Sequence, residues 1–118
     1  DKSISNRRRT GQANVDYQRH YMKIVEMLER LNRRYAGTVA IRPAFHWQIT
    51  REALGICHSI RREPDPAAQS QITEEFYQRG IDRAMFANAR GLKQGWHVML
   101  WRHRLKQWRS DNGCSQPA

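Results

Sequence analysis

Tyr17, Tyr21, Ile24, Leu28, Leu31 and Tyr35 recur at spacings of four, three, four, three and four. That rhythm follows the helical period and puts all six side chains on one stripe, which commits residues 15–35 to an amphipathic helix. Asn14 can cap its start, because a short side-chain oxygen accepts from the first free amides. Gly37 can stop it, since glycine enters the left-handed region without a Cβ clash. Glu26 with Arg30, and Glu29 with Arg33, stand four apart in the orientation that favours surface pairing. The stripe would also serve as a coiled-coil seam, but it fills barely three heptads. It fits either a helix packed inside a domain or a homodimer contact through residues 17–35.

Further along, Pro43 sits poorly in a central strand and well in the first turn of a helix. From there Phe45, Ile49, Ala53, Ile56 and Ile60 hold a second helical stripe with Cys57 beside it, which predicts a helix over 43–62. Gly55 weakens that helix by about 1 kcal/mol relative to alanine. Residues 63–70 (EPDPAAQS) read as a linker. Ile72, Thr73 and Tyr77 match a hydrophobic staple around a threonine cap, so a third helix is predicted from Thr73 to about Arg90. It would bury Phe76, Tyr77, Ile81, Ala84 and Met85.

The segment from Leu92 to Arg109 holds three of the four tryptophans, five Lys or Arg residues and no acid. On a helical wheel Leu92, Trp96, Met99 and Leu100 turn to one side, and Trp101, Leu105 and Trp108 to another. One buried stripe cannot serve both. Either the helix is covered from two sides, or residues 95–101 form a strand, or one aromatic face meets a partner. Core burial fits Trp96 best, whereas Trp101 and Trp108 are divided between core and interface.

A chain of 118 residues suffices for one domain and is too short for two with separate cores. The expected fold is mainly α, a compact bundle of about four helices. The alternative is α+β, with short strands near 38–42 and 95–101. Residues 1–13 would be a flexible basic arm, 14–110 a single helical domain and 111–118 a polar tail.

Charge carries the functional expectation: 21 Lys and Arg against 11 Asp and Glu, a formal +10. Residues 63–91 sum to −2 and the remainder to +12, so the charge is polarised. Guanidinium grips phosphate bidentately, and an Arg-rich basic domain is the usual footprint of nucleic-acid binding. The expectation is therefore a nucleic-acid-binding accessory or regulatory protein, with DNA or RNA as partner. Arg7, Arg8 and Arg9 of the arm, with Arg102, Arg104, Lys106 and Arg109, would hold phosphates. Trp101 and Trp108, if exposed, would stack on unpaired bases. The rival reading is a protein-interaction module whose basic, Trp-containing face docks on an acidic protein.

Chemistry is harder to place. His97 and His103 lie six apart and Cys57 adjoins His58, but no C-x-x-C or H-x-x-x-H pair offers neighbouring ligands, so no metal is expected. No nucleophile elbow, P-loop or dinucleotide fingerprint occurs, and the acids do not cluster in the sequence. A non-enzymatic protein without cofactor is the expectation. Two cysteines, Cys57 in an apolar helical pattern and Cys114 in the tail, suggest no disulfide framework. With neither a membrane-span-length apolar run nor a signal-peptide core, no membrane contact is expected and the cytoplasm is the default location.

Overall fold

The computed structural model describes residues 9–35 and 42–113. Five helices occupy them: α1 (Gly11–Arg34), α2 (Arg42–Arg62), α3 (Pro66–Gln78), α4 (Ile81–Asn88) and α5 (Gly91–Gly113). Among the described residues there is no strand, so the mainly α expectation holds. Residues 95–101, the one part of the α+β alternative that lies wholly within them, are helical. Most of the segment 38–42 lies outside the described residues, as do Gly37, Arg7, Arg8 and Cys114.

α1 forms where the stripe predicted it, but turned about its axis. Its buried residues are Asn14, Val15, Gln18, Met22 and Val25. This set lies about a third of a turn from the tyrosine and leucine stripe, whose described members are half-buried or, at Tyr35, exposed. Asn14 does not cap the helix, because the first turn is held from elsewhere. The Glu63 carboxylate accepts from the Gly11 amide at 3.0 and 3.2 Å, across 52 residues of sequence. The expected pairs of Glu26 with Arg30 and Glu29 with Arg33 are also absent among the described residues. Glu26 pairs instead with Arg79 at 3.1 Å.

α2 matches its expectation closely. Ile49, Ala53, Ile56, Cys57 and Ile60 are all buried, and the helix packs on α1, α4 and α5. Burial pushes the Cys57 thiol well above its ordinary value, and its sulfur donates to Met85 Sδ at 3.7 Å. Thr50 Oγ1 donates to the Met85 carbonyl at 3.2 Å, a second tie between α2 and α4.

The expected linker is shorter than predicted, because only residues 63–65 stand outside helices. Asp65 caps α3 through a bond to the Ala67 amide at 3.2 Å, and Pro66 takes the first helical position. Thr73 is therefore no cap. It lies about two turns into the helix, fully buried, and its hydroxyl donates to the Gln69 carbonyl at 2.7 Å. The predicted third helix is two helices, which makes five in place of about four. Gly80, at φ +74°, ends α3 by taking the left-handed conformation, and α4 restarts at the next residue.

The outcome for α5 reverses the expectation for the tryptophans. Val98, Trp101 and Leu105 enter the core, Trp101 with only 4% of its surface exposed. Trp96, the expected core residue, is 68% exposed, and Leu92 is 96% exposed. The helix thus carries two apolar faces, of which the fold uses one. Among the described residues no helix is long and apolar enough to cross a membrane.

Candidate functional site

A cleft of about 440 Å³ opens between α1 and α2. Its floor is built from polar groups that the fold satisfies internally. Asn14 Nδ2 donates to Glu63 Oε1 at 2.8 Å, while Gln18 Nε2 and Ser59 Oγ donate to Asn14 Oδ1 at 3.0 and 3.3 Å. Glu63 also accepts from the Asp65 amide at 2.9 Å. Burial alone would raise the Glu63 carboxyl, but the amides of Gly11 and Asp65 and the Asn14 side chain outweigh it and hold the group below its ordinary value. Such a floor is rigid because every member has a partner.

Hydroxyl and cationic groups line the walls. The Tyr17 and Tyr21 hydroxyls lie 3.0 Å apart with their rings edge to face, and Arg9 sits 4.0 Å above the Tyr17 ring. The bond to Tyr17, and next to it burial, push the Tyr21 phenol up. Across the cleft α2 contributes Arg51, Gly55, His58 and Arg62, which follow one another at spacings of four, three and four and so share one face. Glu52 lines the same space and accepts from Gln48 at 2.6 Å. These groups can donate to and accept from a ligand rich in hydroxyls, and the guanidiniums can grip an oxyanion.

Arg51, Gly55 and His58 also line a second groove, with Trp47, Leu54, Leu92 and His97 on its other sides. The polar cleft therefore continues along α2 toward the exposed apolar end of α5. Arg51 lies 5.1 Å from the Trp47 ring and marks the join.

Of the residues expected to bind phosphate, Arg102, Lys106 and Arg109 line one groove on α5 together with Tyr77, Asp82 and His103, apart from the α1/α2 cleft. Arg102 donates to Asp82 at 3.3 Å and lies 4.3 Å over the Phe86 ring. Arg109 holds Glu74 through two bonds of 3.1 Å. Arg104 rests 5.3 Å over the Trp101 ring, Lys106 is exposed and Trp108 is half-buried. Trp101, being buried, presents no free face for stacking. Among the described members of the expected set, only Arg9 reaches the cleft. Arg51, His58 and Arg62 were not singled out from the sequence, although their shared spacing around Gly55 was the available signal.

Among the described residues no three His, Cys, Asp or Glu side chains converge as metal ligands would. No solved structure matches the chain. The family model for the C-terminal domain of glycosyltransferase YibD matches residues 10–117. A protein of Escherichia coli (strain K12) named uncharacterized glycosyltransferase YibD is 45% identical over 107 residues, which cover 91% of this chain and 31% of that relative. The chain thus spans about a third of the relative's length. These similarities overturn the expectation of a nucleic-acid-binding or acidic-protein-docking module, and with it that of a protein unconnected with enzymes. Net charge and arginine content are shared by any protein that handles anions, and so could not separate these classes. The chain belongs to the family of the glycosyltransferase YibD C-terminal domain.

Proposed function

We propose that this chain serves as the helical C-terminal domain of a glycosyltransferase and that its α1/α2 cleft holds a saccharide substrate. Glycosyl transfer moves a sugar from an activated donor to an acceptor hydroxyl, so at least one partner must be held by its hydroxyl groups. The observation that carries the reading is the cleft itself, in a chain of this family. It is polar, has a satisfied and rigid floor, and is walled by Tyr17, Tyr21, Glu52 and arginines. Such convergent polar groups in a concavity fix the orientation of a small ligand.

Saturation-transfer NMR on the folded chain with simple hexoses and hexose derivatives tests this. Magnetisation is expected to reach sugar ring protons in the wild type and to fall sharply in Tyr17→Ala and Tyr21→Ala. Absence of transfer to every sugar tried at millimolar concentration would remove the reading.

A further inference from the structure

Arg51 and Arg62 stand eleven residues apart on one face of α2 and bracket about 16 Å of helix. Between them Gly55 leaves the backbone bare, and a Cβ placed there would meet nothing within 4 Å. A glycine inside a helix costs about 1 kcal/mol relative to alanine, and no close approach within the fold requires this one. The result is an open notch in the cleft wall with a guanidinium on either side.

No acid among the described residues pairs with those guanidiniums. The ion pairs among the described residues engage Arg19, Arg79, Arg102 and Arg109, all with carboxylates of α1, α3 or α4. The carboxylates that line the cleft are occupied, Glu52 by Gln48 and Glu63 by three donors. Arg51 and Arg62 thus bring strong donors to the cleft with no acceptor in place among the described residues. The fork geometry of guanidinium matches a phosphate or carboxylate, and such charge-assisted bonds are about twice as strong as neutral ones. A neutral sugar would leave that capacity unused.

We infer that the Gly55 notch seats the ring of an anionic saccharide, whose phosphate or carboxylate group is held by Arg51 or Arg62. The inference rests on the reading of the cleft as a saccharide site and adds the charge of its ligand.

The test is titration of the folded chain, followed through amide NMR shifts, with glucose 6-phosphate, galacturonate, glucose and inorganic phosphate. One or both anionic sugars should bind about tenfold more tightly than glucose, the effect of one charge-assisted hydrogen bond. Whichever binds more tightly identifies the anionic group. The double variant Arg51→Gln, Arg62→Gln should lose this preference. Gly55→Leu should abolish binding while raising Tm, because leucine is the better helix former and the space above it is open, so lost binding there is not unfolding. Equal affinity for glucose and both anionic sugars would overturn the inference and leave the saccharide cleft standing. Inorganic phosphate binding as tightly as glucose 6-phosphate would overturn it as well, since the ring would then contribute nothing. No shift with any of the sugars would remove the cleft reading and the inference together.

Discussion

The Arg109 guanidinium lies across the Glu74 carboxylate, Nε to Oε2 and Nη2 to Oε1, each at 3.1 Å. With Arg102 on Asp82, this contact ties α5 to α3 and α4. Two members of the basic ridge of α5 are thereby neutralised by the acidic segment. The charge asymmetry visible along the chain is folded back on itself there, and the cleft arginines that no described acid pairs are Arg9 and, from α2, Arg51 and Arg62.

Glu63 holds three segments together by accepting from Gly11, Asn14 and Asp65. Glu63→Gln should destabilise the fold by about 1–3 kcal/mol near neutral pH, because an amide replaces a carboxylate that accepts charge-assisted bonds. The folded-state carboxyl titrates below its ordinary value near 4.5. Its contribution is therefore complete above that value and is lost as pH falls through the lower, folded one. Thermal melts at neutral and acid pH should show the gap between wild type and variant closing as the solution is acidified.

Trp101→Ala should cost about 3–5 kcal/mol, since it empties a packed core position. Trp96→Ala should change stability by about 0.5 kcal/mol or less, because its side chain is mostly in solvent. Urea unfolding of the two variants side by side checks this order, which is the opposite of the order expected from the sequence.

Gly80→Ala should destabilise by about 1–2 kcal/mol, because φ of +74° is strained for any residue with a Cβ. The Arg83 side chain, 3.0 Å from the added carbon, must also move. A fall in Tm of about 5 °C or more is expected by calorimetry.

His58 packs edge to face on Trp101, with ring centroids 4.9 Å apart. Partial burial first, and then the charges of Arg62, Arg61, His97 and Arg104, hold its imidazole below the ordinary value. Since the folded value lies below the unfolded one of about 6.5, protonation favours unfolding. This group should therefore erode stability as pH drops from about 6.5 through the folded value, and His58→Gln should flatten the profile in that window. Proton NMR titration of the His58 ring should give a midpoint below that of an ordinary histidine side chain, and an anionic sugar in the cleft should raise it.

Much of the architecture was legible in the sequence because helices are local. The 3.6-residue period located α1, α2 and α5, and the α2 stripe from Ile49 to Ile60 named its buried face correctly, since those positions are apolar without exception. Where the apolar positions outnumbered one face, period alone failed. In α1 the tyrosines and leucines outweighed Asn14 and Gln18 on any hydrophobic count, yet the polar pair is buried. Its cost is met by Glu63, 49 residues from Asn14. In α5 two apolar faces competed, and only the position of α2 and α4 decided that Trp101 goes in and Trp96 stays out. The helical pattern of residues 73–90 runs on past Gly80, so the left-handed turn that divides α3 from α4 leaves no periodic mark in the sequence. The site was least visible of all. Arg51, Gly55, His58 and Arg62 share a helical face that the sequence alone determined, but that face becomes a cleft wall only when α1 packs opposite it. Which arginines stay free of acids was likewise decided by tertiary structure, because ion pairs form between side chains brought close in space, whatever their separation along the chain.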